Sequence, residues 1–250
     1  MKTIYLAGGG PKNTAIKVLS QHLENKGHRV TRDAQDPNGW DVTVRWGVSY
    51  HGNKPALNAR VNRWDKMEHL GIFDEHGIPA PALRMNSDRI KQDDLPVLAR
   101  KRHHQKGQDI IVCKSLAEAK RIEAQYQPDF FTPWIPTATE YRVWVINGRA
   151  IAVYEKVFKG EGEYTGFMRN HRFGFKFQNS ENMLRDKDLV NPAIKSVKVL
   201  EMDFGAVDVL KGKDGKYYVL EVNSMPHIDS TERVSGIRLA NEISRWAEEQ

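Results

Sequence analysis

The sequence predicts an α/β protein assembled from α+β subdomains, and three observations predict it. An apolar run, KTIYLA, passes through Gly8, Gly9 and Gly10 into an amphipathic stretch, which is the order of a β-loop-α unit. Two longer apolar, β-branched runs fold back about Asn147-Gly148 and Asp214-Gly215, the pairs that supply the positive φ angles of a type I′ hairpin turn. Helical spacing recurs around these runs, at 115–125, 191–201 and 237–246.

Taken in order, residues 2–7 form the first strand and Thr14–Lys26 the first helix, which stops at Gly27. The glycines lack G-x-G-x-x-G spacing, so this is a Rossmann-like N-terminal unit without a dinucleotide fingerprint, its loop either a tight turn or a substrate contact. His28–Thr31 and Asp41–Trp46 continue as a small parallel sheet. Asn58, Asn62 and Lys66 are spaced by four, so a helix would put them on one face. Pro79 and Pro81 make an extended connector, which divides the chain into subdomains at 1–78, 79–130 and 131–250.

Residues 96–112 read as strand, basic loop and strand, with Arg100, Lys101, Arg102, His103, His104 and Lys106 ahead of Gly107. Ser115 caps the next helix. Phe130–Ile135 is a short strand, Pro192 fits the first turn of a helix over 191–201, and Ile237–Trp246 closes the chain as an amphipathic helix.

Composition narrows the function without choosing it. The chain has 250 residues, 40% hydrophobic and 28% charged, and no apolar run long enough for a membrane span. The opening apolar run is too short for a secretory signal, which predicts a cytoplasmic protein. The single Cys113 excludes an internal disulfide and a multi-cysteine zinc site, leaving a buried structural thiol. A net charge of +6 favours anionic partners, whether nucleotide phosphates, an acidic substrate or nucleic acid. Neither a Walker A loop, a kinase H-R-D nor a G-x-S-x-G elbow is present.

The second hairpin carries the chemistry. With a two-residue turn at 214–215, Asp208 stands opposite Glu221 and Ala206 opposite Asn223. Directly opposed carboxylates repel by roughly 3 kcal/mol at an effective dielectric near 20, so a compensating cation is expected. Asn223 shares the face of Glu221, and two carboxylates with a carboxamide oxygen suit Mg²⁺. The alternative is a surface hairpin whose acids face water. In the first hairpin a two-residue turn sets Glu140 opposite Glu155, with Arg142 along the same face, either a salt-bridge network or a functional arginine.

Asp208, Glu221, Asn223 and Pro226 in this spacing resemble the metal-binding signature of the ATP-grasp ligases, which include D-alanine:D-alanine ligase, glutathione synthetase and the ribosomal-protein glutamate ligase. The run GAVDVLKGKDGKYYVLEVNSMP is also similar to small phage-encoded ATP-grasp proteins, although His227 follows the proline where many members have glycine. Asp65-Lys66 and the link Gly77-Ile78-Pro79-Ala80-Pro81 match the family too, leaving Lys66 either a solvated helix charge or a phosphate- or substrate-side contact.

The resemblance implies an ATP-grasp fold, ATP and Mg²⁺ (or Mn²⁺) as cofactors, and Asp208, Glu221 and Asn223 as metal ligands. It aligns Arg100, with Lys101 beside it, to a phosphate-contacting lysine, a departure because the two cations are not equivalent. It implies adenine contacts at Phe131, Thr132 and Trp134, chiefly through backbone, and a nucleotide-side Lys156. It implies catalytic roles for Arg142, from the E-x-R pattern, and for Arg169 and Asn170 in the segment ahead of Gly174. Glycines 160, 162 and 166 suit a loop that closes over phosphates.

Two functions follow. One is an ATP-dependent carboxylate–amine ligase acting through an acylphosphate, with amino acid, peptide or protein-terminus substrates. The other is a basic nucleotide- or nucleic-acid-binding protein on the same scaffold, without ligation.

Overall fold

The computed structural model describes residues 1–8, 13–36, 38–48, 52–60, 65–102, 110–162, 164, 169, 171–228 and 232–250. Among these the order is β1 (Thr3–Gly8), α1 (Thr14–Asn25), β2 (Arg29–Thr31), β3 (Val42–Trp46), β4 (Ala56–Leu57), α2 (Lys66–Glu75), β5 (Val97–Arg100), β6 (Ile111–Cys113) and α3 (Leu116–Tyr126). There follow β7 (Phe130–Pro133), β8 (Thr137–Ile146), β9 (Arg149–Phe158), β10 (Phe175–Asn179), α4 (Lys187–Val199), β11 (Phe204–Gly212), β12 (Tyr217–Asn223) and α5 (Arg233–Glu249). No helix among the described residues is long and apolar enough to cross a membrane.

The N-terminal sheet is parallel, in the order β2-β1-β3-β4. Helix α1 forms beside it because the Asn13 side chain accepts from the Ile16 N–H at 3.2 Å and because Ala15, Ile16, Leu19 and Leu23 fall on one buried stripe. Helix α5 joins this layer from the far end of the chain. Gly236 permits the approach, since a Cβ there would lie 2.9 Å from Val18 Cγ1.

The large sheet is antiparallel, in the order β10-β9-β8-β11-β12, and side-chain alternation gives it two buried faces. Trp144, Ile146, Ala152, Tyr154, Phe204 and Ala206 pack toward the N-terminal layer. Val143, Val145, Val153, Val207, Val209 and Val219 pack with Phe73 of α2 and Leu189, Ala193 and Val197 of α4. Each valine, leucine, isoleucine or phenylalanine among them contributes about 1.5–3 kcal/mol on burial. The third sheet, β6-β5-β7, is covered by α3. Cys113 lies in its core, where burial pushes the thiol up to about 11, as suits a structural role.

Several details differ from the sequence expectations, each for a local reason. β7 pairs with β5 as far as Pro133, so a division at 130/131 cuts a strand. Helix α2 packs on the large sheet, so a division at 78/79 separates it from its partners. Helix α4 starts a turn early because Asp186 caps it, accepting from the Asp188 and Leu189 N–H groups, and Pro192 therefore lies inside the helix. Asn58 is not helical: its φ is +58°, and α2 begins only at Lys66, where Asp65 and Glu68 form a capping box. Asn62 lies outside the described residues.

The hairpins hold the most instructive differences. Asn147 and Gly148 have φ of +48° and +71°, the type I′ turn expected. A bulge between Trp144 and Val145 then shifts the register, and Glu140 faces Lys156 instead of Glu155. An ion pair thus replaces the like-charge pair.

The 214–215 turn is not type I′, because Gly215 has positive φ (+82°) and Asp214 does not. The Gly215 N–H donates to the Gly212 carbonyl at 3.0 Å and the Gly212 N–H to the Lys216 carbonyl at 2.9 Å, a three-residue loop closed by a glycine bulge. That loop pairs Lys211 with Tyr217, one position from the two-residue register. An irregularity between Asp208 and Val209 restores the offset, so Asp208 still faces Glu221.

Candidate active site

The site forms where β8, β11 and β12 run side by side and the N-terminus of α2 meets them. Asp208 of β11 is flanked by Arg142 on one side and Glu221 on the other, and Ala206 sits opposite Asn223. The compensation that opposed carboxylates demand comes from two cations on different elements. Arg142 Nε and Nη2 donate to Asp208 Oδ1 and Oδ2 at 2.8 and 3.1 Å. Lys66 Nζ, in the first turn of α2, lies 2.7 Å from Glu221 Oε2. Asn223 Nδ2 is 3.4 Å from Glu221 Oε1.

The electrostatics follow. Burial alone would raise the Asp208 carboxyl, but Arg142, with help from Lys156 and Lys66, holds it below the usual carboxylate range. Burial would lower the Arg142 guanidinium, and the charges of Asp208, Glu232 and Glu221 raise it instead. Lys156 pairs with Glu140, and both Arg142 and Lys156 lie over the Phe177 ring, at 4.3 and 5.5 Å.

Other residues singled out in the sequence fall unevenly around this centre. Arg100, at the end of β5, lies over Phe130 at 5.3 Å; burial lowers its guanidinium and the charge of Glu221 opposes that shift. Lys101 faces the opposite way, its ammonium on the Gln127 carbonyl and 5.2 Å from the Tyr126 ring, because neighbouring strand-end side chains point apart. The phosphate role expected for Lys101 therefore does not fit. Phe131 is a core residue whose backbone N–H and carbonyl both bond Arg84, at 2.8 and 3.0 Å, so the expected backbone contact to adenine is already taken. The Trp134 N–H is likewise taken, by the Pro96 carbonyl, although its indole is exposed. Thr132 is buried and pairs with Leu98.

Arg169 donates to the Ala138 and Thr137 carbonyls at 3.1 and 3.0 Å and helps line a cavity of about 400 Å³ with Lys156, Glu155, Tyr164 and Phe175. A larger depression, about 640 Å³, lies by the 147–148 turn at the other end of β8, away from the carboxylates. Asn170, His103 and His104 lie outside the described residues.

The sequence assigns no individual role to two participants. Glu232, 1% exposed just before α5, approaches Arg142; no local pattern marks a lone acid ahead of a helix. Arg102 bonds Asp65 at 2.5 Å and reaches Glu68 at 3.1 Å, tying the basic loop to the α2 cap. Its partners are distant in sequence.

The residues present fit a divalent ion. Among the described residues no three His, Cys, Asp or Glu side chains cluster as a ligand set. An ion here would use two carboxylates and the Asn223 carboxamide and take further oxygens from outside the protein, which is how Mg²⁺ is commonly held.

His69, one turn after Lys66, lies beneath the same strand, its Nδ1 3.5 Å from the Val222 nitrogen. Burial pulls its imidazole down to about 4, against the opposing charges of Glu221, Asp65 and Glu68. A depressed folded-state value means that stability is full above the ordinary value of 6.5 and is lost as pH falls toward 4, by about 3 kcal/mol in total. Urea unfolding at pH 7 and pH 4.5 should resolve this loss, and His69→Leu should flatten that part of the profile. An unchanged slope in the variant would assign the acid sensitivity to other groups.

Comparison with known proteins places this geometry in context. The RimK-like ATP-grasp domain family matches residues 65–247. A probable alpha-L-glutamate ligase from Histophilus somni (strain 2336) is 27% identical over 198 residues, covering 74% of this chain and 64% of the relative. One from Haemophilus influenzae (strain PittEE) is 24% identical over 212 residues, covering 79% and 66%. The chain thus spans slightly less than two thirds of the length of these curated relatives. Among solved structures, the ATP-grasp ligase PsnB with its minimal precursor superposes with a TM-score of 0.68 at 13% identity, covering 98% of each chain. The D-alanine–D-alanine ligase of Bacillus anthracis gives 0.58 at 11% identity over the full length of both. These structural likenesses are ones of fold.

Proposed function

Because the chain belongs to the RimK-like ATP-grasp domain family, we propose that it is an ATP-dependent carboxylate–amine ligase. The carrying observation is the facing pair Asp208 and Glu221, each held by a separate cation, beside Asn223. In this reading a substrate carboxylate oxygen attacks the γ-phosphorus of ATP and ADP leaves. An amine then attacks the acyl carbon, the bond to phosphate breaks, and the amine gives up a proton as the amide forms.

Asp208, Glu221 and Asn223 would hold Mg²⁺ or Mn²⁺, which when bound supplies charge neutralisation at the phosphates. Arg142, fixed on the same face, orients the acyl phosphate and offsets its charge. Arg100, which aligns with the family's phosphate-contacting lysine, and Lys66 supply positive charge on the nucleotide side, without Lys101. Lys156 and Arg169 line the adjoining cavity and steady the reacting groups, with Asn170 as a neighbouring contact. The exposed indole of Trp134, two residues beyond the buried Thr132 of β7, would contact the adenine. Three subdomains, the small sheet ending at Pro133, enclose the site.

The glutamate ligase relatives favour an amino acid such as glutamate as one substrate, and the precursor peptide that PsnB holds favours a peptide as the other. A cytoplasmic setting, where ATP is abundant, fits this chemistry. The nucleic-acid reading has less behind it, because facing carboxylates such as Asp208 and Glu221 suit a cation and repel a phosphate backbone.

The test is ADP release by the purified protein with ATP and Mg²⁺, screened with glutamate and other amino acids against peptide acceptors. Release that needs both a carboxylate and an amine is the expected result. Absence of release across the panel, with salt-sensitive retention of DNA or RNA, would replace the ligase by the binder.

A further inference from the structure

Glu232 is a buried carboxylate that the chemistry above leaves without a task. Its side chain, 2% exposed, extends from the residue before α5 onto the Arg142 face of the large sheet. Oε1 accepts from Trp144 Nε1 at 3.1 Å, which fixes the carboxylate plane, and Oε2 lies 3.6 Å from Arg142 Nη1.

Arg142 is therefore held on three sides. Its Nε and Nη2 edge belongs to Asp208, its Nη1 corner faces Glu232, and its plane lies over Phe177. A guanidinium carries one charge but five donors in a rigid fork, so Asp208 and Glu232 compete for it, Asp208 from the better-placed, bidentate position.

The competition resolves once Asp208 is engaged elsewhere. If Asp208 turns to a divalent ion, Arg142 loses its bidentate partner and is left beside a doubly charged neighbour. We propose that Glu232 is a positioning residue that takes over Arg142 when Asp208 ligates the ion, keeping the guanidinium fixed beside the reacting groups. The inference rests on the reading of Asp208, Glu221 and Asn223 as metal ligands.

The experiment is Mn²⁺ binding to the full chain in the presence of ADP, followed by electron paramagnetic resonance of the unbound ion. Glu232→Gln keeps the shape and an acceptor for Trp144 but removes the charge. It should weaken Mn²⁺ about tenfold, because Arg142 then has no acid to move to. In an Arg142→Met background the same substitution should change affinity by less than twofold.

Glu232→Gln binding Mn²⁺ as the wild type does would overturn the proposal. So would an equal loss in both backgrounds, which marks a general field or folding effect. Should Glu232→Gln fail to fold, Glu232→Asp carries the test: the charge is kept but retracted by one carbon, and an intermediate loss confined to the Arg142 background is expected. Wild-type protein that ignores Mn²⁺ would remove the metal-site reading itself, and this inference with it.

Discussion

Asp208→Asn is expected to lower the proposed ligase turnover by about 10³-fold or more while leaving the protein folded. The carboxylate serves two partners in this site, Arg142 in the structure and a divalent ion in the proposed reaction. Replacing one charged oxygen with an amide nitrogen removes a hard ligand and points a donor at the cation. A loss of about 4 kcal/mol in transition-state stabilisation corresponds to that factor. Folding should suffer less, because Arg142 retains Glu232 and the opposed charge of Glu221 is relieved. ADP release and thermal unfolding on the same preparation separate the two effects. Turnover within tenfold of wild type would mean that the facing acids do not hold a catalytic ion.

Asn58→Ala is expected to destabilise the fold by about 3–5 kcal/mol, the largest stability effect of any single polar side chain discussed. Asn58 is 1% exposed and joins the N-terminal layer to the start of β11. Its Oδ1 accepts from the Asp203 and Phe204 N–H groups at 2.8 and 3.0 Å, and its Nδ2 donates to the Phe204 carbonyl at 3.0 Å. Alanine would strand all three backbone groups and, at φ +58°, would lack the polar side chain by which asparagine tolerates the left-handed region. Asn58→Gly should recover that backbone share and none of the hydrogen-bond share. Chemical denaturation of the two variants therefore divides the total. Equal stability of wild type and Asn58→Ala would show that solvent or a rearranged strand replaces the bonds.

Asn58 also marks where sequence pattern misleads. Spacing by four suggested a helical face with Asn62 and Lys66, whereas the left-handed conformation and the bonds to β11 make Asn58 a tertiary staple. Nothing within a few residues encodes Asp203 or Phe204 as its partners. Lys66 is legible as a candidate because Asp65-Lys66 matches the family pattern; its contact with Glu221, far along the chain, is not.

The two hairpins separate the kinds of information further. The Asn147-Gly148 turn was readable as type I′, yet a bulge beyond it exchanged Glu155 for Lys156 opposite Glu140. At Asp214-Gly215 the residue pair predicts a type I′ turn and the chain instead makes a glycine bulge, yet the site register agrees with the expected one because a second irregularity compensates. Turn residues specify backbone angles at the turn, whereas a bulge is settled by which face each later side chain must bury.

The sequence by itself determined the first strand and helix, the two long hairpins, the Ser115 cap, the opposition of Asp208 to Glu221 and the hard-oxygen character of the donor set. These follow from periodicity, turn chemistry and side-chain type, all of which act over a few residues. Only the tertiary structure decided that Arg142 and Lys66 would neutralise those acids, that Lys101 would turn away, that Phe131 would be core and that Glu232 would stand behind Arg142. Those outcomes depend on how sheets and helices distant in the chain close over one another. Burial then sets which charges must find a partner and which partner lies within reach.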